Sequence, residues 1–287
     1  MNRFASGGKQ NYYGKGDVVV YRLNRDGKVP AGCNPVFGAN VLMLTYGDAF
    51  RNTYTTGDNT GLVATDSMKN FIQRETMNFA GYDLESFVQF LAEKFLRTYP
   101  QAEGVQISVK EVPYEGIVDG SIAFQPTGPE RAMARVEIGR NGSELKMMEL
   151  CSGIEGFRLL RLGGSAFHGF VKDQYTTLPD IINRPLHMWL ELEWNYISDK
   201  AGLAEGAITA RVRRMVHEVF HGFESGSIQQ VIHQLGSKML AEIPEISQIH
   251  LEANNRTWDT IAEQGDALGV YTDPRPPYGC LGLTMSR

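Results

Sequence analysis

The sequence is poor in cysteine, in long apolar runs and in positive charge, and each shortage excludes a class of protein. Its three cysteines, Cys33, Cys151 and Cys280, are far apart and form no Cys-x-x-Cys pair, which favours reduced thiols over disulfides or a zinc knuckle. No apolar run approaches the roughly 20 residues that span a bilayer, so we expect no membrane segment. A net charge of -5 provides no basic field for nucleic acid.

The amino terminus also lacks the apolar core of a signal peptide. Residues 1–11 are largely polar and include two glycines, which predicts a flexible leader. The composition as a whole, 42% apolar and 21% charged, is sufficient for buried cores. A chain of 287 residues is long enough for one large domain or two smaller ones.

An internal repeat favours two domains. Apolar residues follow one another at steps of 3, 1, 3 and 4 in two segments that lie 144 positions apart, and these steps trace one face of an amphipathic helix. Pro100 and Pro244 follow the two segments at equal offsets, and each precedes an alternating stretch typical of a half-buried strand. The apolar residues are Leu84, Phe87, Val88, Leu91 and Phe95, and then Ile228, Val231, Ile232, Leu235 and Met239.

Each half of the chain therefore predicts the order strand, strand, helix, helix, strand, strand. Helical segments at about 67–80 and 204–221 precede the repeated helices, and strand-like runs precede those segments. We predict an α+β protein with two antiparallel sheets, each covered on one face by a helix pair, in domains 12–143 and 144–287. The strand-like runs are Val18–Tyr21 and Val41–Leu44 in the first half and Leu159–Leu162 and Met188–Glu193 in the second.

One segment matches the zinc-hydrolase pattern His-Glu-x-x-His, with His217, Glu218 and His221 in the required places. Helix phase argues against a metal site, because both histidines fall opposite the apolar stripe and a third ligand is missing where Ser227 stands. Gly222 should also end this helix at once. The stripe consists of Ile208, Val212, Met215, Val216 and Val219.

A second segment is ambiguous when it is considered by its residues alone. A turn leads into a short apolar strand, which should end at Thr65 and Asp66 just as a helix begins. Asp66 or Ser67 is then predicted as the helix N-cap, accepting hydrogen bonds from free amide groups. Since helix N-termini also receive anionic ligands, a cap and a binding site both stay open.

Longer motifs resemble the urate oxidase family. Val63–Asn70 is similar to that family's signature, and Tyr13-Gly14-Lys15 is similar to its amino-terminal motif. The resemblance runs from about residue 12 to 284, which is almost the whole chain. Other segments that carry it are Ser165–Phe170, Asp173–Leu178, Ser227–Gln229 and, in the bacillus-type branch, Asn254–Asp259 and Pro274–Gly279.

The resemblance implies the tunnelling fold, or T-fold, with two tandem domains in a homotetramer whose active sites lie at subunit interfaces. It also implies oxidation of urate by O2 and water to 5-hydroxyisourate and hydrogen peroxide, without metal or organic cofactor. The terminal Met285-Ser286-Arg287 is not a Ser-Lys-Leu peroxisomal signal, which favours a bacterial cytoplasm. The alternatives are another T-fold purine or pterin enzyme, which would need a His or Cys/His metal cluster, and a His-Glu-x-x-His zinc hydrolase.

The resemblance also assigns residues to substrate binding. Arg184 would hold the purine anion through a bidentate fork that a lysine could not reproduce. Gln229 would read another edge of the purine with its amide donor and carbonyl acceptor. Phe167 would stack on the ring, while Ile228 and Asp66 would contribute mainly backbone groups.

The remaining assignments concern proton transfer and oxygen. Lys15 and Thr65 would form a proton relay, in which a desolvated ammonium lowers the barrier to transfer through the hydroxyl. Asn255 and Thr65 would hold oxygen, and then water, above the ring. Thr257 stands where many family members carry histidine, and its hydroxyl can pass a proton but does not titrate near neutrality. Thr257 is therefore either part of the relay or without a role.

Overall fold

The computed structural model describes residues 11–197, 207–265 and 267–287. The chain divides into two compact units, Met1–Gly153 with Asn195–Ile208, and Ile154–Trp194 with Thr209–Arg287. Residues 1–10 of the predicted leader, and residues 204–206 of one predicted helix, lie outside the described residues. The domain boundary near residue 143, which we infer from the sequence repeat, stays a prediction.

The first unit has two strands, then helices, then two further long strands. Its long strands are antiparallel neighbours in the order β1-β2-β3-β6, and a small hairpin, β4 and β5, interrupts the second pair. The elements are β1 (Tyr13–Leu23), β2 (Val36–Tyr46), a 3₁₀ turn (Asp48–Phe50), α1 (Arg51–Thr55), α2 (Thr65–Asn78), α3 (Leu84–Thr98), β3 (Gly104–Glu111), β4 (Tyr114–Gly116), β5 (Phe124–Pro126) and β6 (Arg131–Asn141).

The core of this unit lies between the sheet and the two long helices. Met43, Ile107 and Val136 lie opposite one another on neighbouring strands and are fully buried. Residues that face each other across an antiparallel pair share one side of the sheet, so these three form its inner face. The apolar stripe of α3 covers that face, and burial of each large side chain contributes roughly 1.5–3 kcal/mol.

The second unit repeats the order of two strands, two long helices and two further long strands. In its sheet the long strands are neighbours in the order β7-β8-β9-β12. Residues 144–153 of β7 and the last two residues of β8 belong to the first unit. The elements are β7 (Glu144–Phe167), β8 (Ile181–Tyr196), α4 (Ala207–Gly222), α5 (Ile228–Glu242), β9 (Ile246–Asn255), the hairpin β10 (Thr260–Gln264) and β11 (Leu268–Tyr271), and β12 (Gly279–Ser286).

The predicted repeat is confirmed in detail at α3 and α5. All ten residues of the two apolar stripes are buried, none of them more than 8% exposed. Each helix is also capped by the side chain that precedes it. Asp83 accepts from the Ser86 amide at 2.7 Å, and Ser227, 144 positions later, accepts from the Gln230 amide at 3.2 Å. The helices end at Thr98 and Glu242, two residues before the matching prolines.

The α+β class is therefore confirmed, with antiparallel strands and a pair of long helices in each half. None of the described helices is long and apolar enough to cross a bilayer. The three cysteines are free thiols, as the sequence predicts, and Cys151 is buried.

Candidate active site

Lys15 is placed by an irregularity in β1. The register with β2 shifts between Lys15 and Val18, and Asp17 takes a left-handed backbone conformation with φ of 54°. Lys15 lies opposite Met43, whose side chain is fully buried on the helix-covered side of the sheet. The Lys15 side chain therefore points to the side on which α2 packs.

Gly14 is required next to Lys15 because β2 comes unusually close to β1 there. A Cβ atom at Gly14 would lie 1.8 Å from the carbonyl oxygen of Met43, which is far inside van der Waals contact. The glycine thus permits the strand geometry that carries the lysine, and the Tyr13-Gly14-Lys15 motif has a steric reason.

Thr65 and Asp66 begin α2, but two local expectations about this junction were wrong. No strand precedes the helix, because Leu62 to Ala64 have no strand partner. Ala64 is the N-cap, and no side chain among the described residues caps the helix. The Asp66 carboxylate instead accepts hydrogen bonds within the helix, from Lys69 Nζ at 2.6 Å and Asn70 Nδ2 at 2.9 Å.

The start of α2 therefore presents backbone amides that no described side chain caps, beside charged groups. The hydrogen bond from Lys69 is the main reason that the pKa of Asp66 lies below its usual range, and the nearby charge of Lys15 adds to the effect. This places Lys15 and Asp66 within electrostatic reach of each other in the first unit. Thr65, the neighbour of Asp66, is exposed. Uncapped first-turn amides attract anionic groups.

Tyr13 connects the two parts of this region, although sequence analysis assigned it no role beyond its place in the Tyr13-Gly14-Lys15 motif. Its hydroxyl accepts a hydrogen bond from the Val63 amide at 3.0 Å, and its ring packs edge-on against Phe50 at 5.2 Å. Burial is the main reason that the pKa of Tyr13 rises to about 12, so the phenol stays protonated. The strand carrying Lys15 is thereby tied to the segment that leads into Thr65.

In the second unit, Phe167 and Arg184 face each other from the ends of β7 and β8. The Arg184 guanidinium carbon lies 6.0 Å from the centre of the Phe167 ring, and Phe167 stacks on Phe170 with ring centres 4.9 Å apart. Burial lowers the pKa of Arg184, and its Nε has no hydrogen-bond partner within the described residues. This pair presents a half-buried cation beside an aromatic face.

Ile228 and Gln229 form the first turn of α5. Ile228 is buried in the core, whereas Gln229 is exposed. The loop before them pairs with the end of β7, because the Ala166 amide donates to the Ser225 carbonyl at 2.7 Å and the Ser225 amide donates to Gly164 at 2.9 Å. The structure therefore brings the segment that carries Phe167 beside the segment that leads into Gln229.

Asn255 and Thr257 alternate with two residues that are firmly packed. The Arg256 guanidinium lies between the rings of Trp189 and Tyr278, at 3.8 Å and 4.0 Å from their centres. Trp258 stacks between His187, at 5.8 Å, and Tyr271, at 4.8 Å. Asn255 ends β9 half-buried opposite Gly279, and Thr257 is exposed. The packed neighbours fix the backbone on both sides of Thr257.

His187 forms part of this packed region. Its carbonyl accepts from the Arg256 amide at 3.1 Å. Burial is the first reason that the pKa of His187 is lowered, opposed by the charge of Asp273 and assisted by Arg158 and Arg256. The lowered pKa favours the neutral form of the ring, which stacks against Trp258.

The predicted helix phase of the His-Glu-x-x-His segment is confirmed. His217 and His221 are exposed on α4, while four members of the stripe, Ile208, Val212, Met215 and Val216, are buried. Glu218 is bridged by Lys238 at 3.3 Å. No group of three or more potential His, Cys, Asp or Glu ligands occurs among the described residues.

Comparison with known proteins matches both halves to one family. The family model described as Uricase covers residues 11–137 and 150–281. The chain belongs to the uricase family. A uricase from Halalkalicoccus jeotgali is 33% identical, with 96% of this chain and 97% of that protein aligned. The uric acid degradation bifunctional protein of Bacillus subtilis is 34% identical over 96% of this chain, which spans 60% of that relative's length.

Solved uricase structures have the same fold. A hyperthermostable urate oxidase variant from Bacillus sp. TB-90 superposes with a TM-score of 0.88 at 33% identity, over 96% of this chain and 99% of that one. The Arthrobacter globiformis uricase gives 0.84 at 28% identity, over 100% and 96% of the two chains. The tandem T-fold that the resemblance implies is thus the fold of this chain.

Proposed function

We propose that the chain oxidises urate with O2 and water to 5-hydroxyisourate and hydrogen peroxide. The observation that carries the proposal is the pairing of Arg184 with Phe167, in a chain of the uricase family. A planar purine anion needs a charged fork at its edge and an apolar surface against its face. Arg184 offers the fork, with an Nε that has no partner in the described part of the chain, and stacking on Phe167 contributes about 1–3 kcal/mol.

Other binding contacts come from helix starts. The exposed Gln229 offers one donor and one acceptor to the purine edge, and the first-turn amide of Ile228 lies beside it. In the first unit, the uncapped start of α2 offers the Asp66 amide to the ring. These contacts fix the ring orientation, which is what a reaction at one ring carbon requires.

The reaction removes two electrons from urate and reduces O2 to peroxide. Loss of a proton from the urate monoanion raises its electron density, and Lys15 with the Thr65 hydroxyl would carry that proton. After electron transfer, water adds its hydroxyl to ring carbon 5, and the released protons end on hydrogen peroxide. The influence of Lys15 on Asp66 supports a location of the ammonium near the start of α2.

Asn255 would hold oxygen, and later water, together with Thr65. Its amide is suited to this because it is half-buried at the end of β9 and its neighbour Arg256 is clamped between two rings. Thr257, the residue after Arg256, is exposed and would at most pass a proton.

We also propose that the enzyme uses no cofactor and acts in a bacterial cytoplasm as a homotetramer with active sites at subunit interfaces. These features come from the resemblance to the family. At such an interface, Thr65 would lie on one side of a site that a neighbouring subunit completes. The bifunctional relatives are longer, and this chain spans 60% of their length.

The test follows the loss of urate absorbance and the release of peroxide by chelator-treated protein. We expect the protein to turn over without added metal and to release one hydrogen peroxide for each urate consumed. Arg184→Lys should raise KM for urate by about tenfold or more, because lysine offers no fork. Arg97→Lys, on the exposed side of α3, is the matched control. Failure of the metal-free wild type to consume urate would sink the proposal.

A further inference from the structure

Arg161 donates four hydrogen bonds near the candidate site, two from each of its Nη atoms. From β7 it reaches the end of α4, where Nη1 donates to the carbonyls of Phe220 at 3.0 Å and Phe223 at 2.7 Å. Nη2 donates to the carbonyl of Gly164 at 2.8 Å and to the Ser225 hydroxyl at 2.7 Å. One guanidinium therefore joins β7, the end of α4 and the loop before α5.

The surroundings of Arg161 are those of a structural cation. All four acceptors are carbonyl or hydroxyl oxygens, and Glu224 acts on the guanidinium only as a nearby charge. Desolvation by burial is the main cause of the lowered pKa of Arg161, with Glu224 opposing it. The carbonyls at a helix C-terminus are the groups that favour a cation, since the helix leaves them without internal partners.

The atoms held by Arg161 lie next to two binding segments. Gly164 and Ser225 are themselves joined, since the Ser225 amide donates to Gly164 at 2.9 Å, and Ala166 donates back to Ser225 at 2.7 Å. Phe167 follows Ala166 directly. Ser227, the cap of α5 just ahead of Gln229, comes two residues after Ser225.

Gly164 also links this arrangement to β8. Its amide donates to Asn183 Oδ1 at 2.7 Å, and Asn183 immediately precedes Arg184. Gly164 has a φ of 76°, a left-handed conformation that favours glycine. The Gly164 peptide groups thus connect the strands of Phe167 and Arg184 with the loop before Gln229.

We propose that Arg161 is a positioning residue for the purine site. By holding Gly164 and Ser225 together it sets the distance between the Phe167 ring, the Arg184 fork and the Gln229 amide. Arg161 touches no substrate in this role and acts through those three residues. The role in substrate binding rests on the proposed urate oxidation, whereas the role in holding the Ser165–Ser225 bridge does not.

The test uses Arg161→Lys in the full chain, with Arg214→Lys as the control, because Arg214 is exposed on α4. Lysine keeps the charge but cannot reach four acceptors from one planar group. Hydrogen exchange at the Ala166 and Ser225 amides should become at least about tenfold faster in Arg161→Lys and stay unchanged in the control. The KM for urate should rise about tenfold, with kcat changed less than about threefold.

A double-mutant cycle separates positioning from a general loss of structure. If Arg161 acts through Gln229, Arg161→Lys combined with Gln229→Ala should cost little more in kcat/KM than the larger single change. Additive losses of kcat/KM in the double variant would overturn the proposal. The proposal would also be overturned if the loss of kcat/KM in each variant matched its loss of folded protein, as measured by urea unfolding. If Arg161→Lys does not fold, Ser225→Ala decides, because it removes one acceptor and should show a smaller shift in the same direction.

The outcomes distinguish the two proposals. Unchanged amide exchange in a folded Arg161→Lys overturns the positioning role, whatever the substrate is. Faster exchange with an unchanged KM in an active enzyme overturns its link to the purine site. Wild-type protein that consumes no urate sinks the proposed function, while the exchange result still decides whether Arg161 holds the bridge.

Discussion

Arg140 and Arg287 make two matching side-chain hydrogen bonds in the two units. Arg140, at the end of β6, donates from Nη2 to the Leu96 carbonyl at 2.5 Å and from Nε to Ala102 at 3.3 Å. Arg287, just after β12, donates from Nη2 to the Leu240 carbonyl and from Nε to Ile246 at 2.7 Å. The acceptors in the second unit lie 144 positions after those in the first.

The backbone of the two arginines follows the same pattern. The Arg140 amide donates to Glu103 at 2.7 Å, and the Arg287 amide donates to Ser247 at 3.0 Å. In each unit the arginine therefore joins the last turn of the second long helix to the segment that starts the next strand. Free carbonyls at a helix C-terminus favour a cation, so the two side chains perform one structural task.

Replacement of Arg287 by alanine should destabilise the protein. The change removes hydrogen bonds from a charged donor to Leu240, Ile243 and Ile246, and the expected loss is about 1.5–3 kcal/mol. Arg287→Lys should recover only part of this, because an ammonium lacks the planar fork. Urea unfolding followed by circular dichroism measures the effect. Arg275→Ala, which breaks an exposed pair with Asp259, should cost less than about 1 kcal/mol; an equal cost for both changes would refute the assigned role.

Gly14→Ala should disturb the strand that carries Lys15. Its Cβ would lie 1.8 Å from a backbone oxygen of Met43, so β1 and β2 must separate locally. Overpacking of this kind costs about 1–3 kcal/mol, and we expect lower urate turnover as well. Gly16→Ala is the matched control, since its Cβ would meet only the flexible end of Leu42 at 3.2 Å. Comparable midpoints of unfolding for the two variants would show that the close approach does not matter.

The parts of the fold that the sequence predicts are those governed by local periodicity. The apolar stripes of α3 and α5 follow helical spacing and are buried, because one face of each helix must cover a sheet. The start of α2 is harder to predict from the sequence. Asp66 has two sets of competing partners, the amides of the first turn and the side chains of Lys69 and Asn70, and the sequence does not decide between them.

The contacts that organise the candidate site are mostly long-range. Arg161 binds atoms that are 59 to 64 residues away, apart from Gly164, and Tyr13 meets Val63 across 50 residues. No periodicity reports such pairs, because each depends on how two elements pack rather than on either element alone. The matching offsets of Pro100 and Pro244 predicted that the two helices end at equivalent positions. They did not predict that an arginine binds the end of each helix.

Glu85 should make stability depend on pH. This carboxyl of α3 is buried, accepts from Ser152 Oγ at 2.6 Å and from the Tyr196 hydroxyl at 3.3 Å, and has a raised pKa chiefly because of desolvation. The folded state therefore binds the proton more tightly than the unfolded state. Above the ordinary carboxyl pKa of about 4, stability from this group is lost as pH rises toward and through the folded pKa.

Glu85→Gln removes this dependence, because the amide has no proton to release and its carbonyl still accepts from Ser152. The variant should be more stable than wild type at neutral pH, with a flatter profile of unfolding free energy from pH 5 to 8. Glu93→Gln, a more exposed change on the same helix, serves as the control. A steeper profile in Glu85→Gln than in wild type would contradict the assigned cause.

Lys15→Ala should reduce urate turnover more than Thr257→Ala. Lys15 points toward α2 and its charge influences Asp66, next to Thr65, whereas Thr257 is exposed and has no group that titrates near neutrality. Loss of a general acid–base group typically costs about 10²–10⁴-fold in rate. Loss of the Thr257 hydroxyl should cost less than about tenfold in rate, since Arg256 and Trp258 still fix the backbone on either side.

Steady-state kcat at saturating urate compares Lys15→Ala with Thr257→Ala, with Thr257→Ser as the variant that keeps the hydroxyl. If Thr257→Ala were the slower enzyme and Thr257→Ser restored it, the hydroxyl would be the essential relay and the ranking would be reversed.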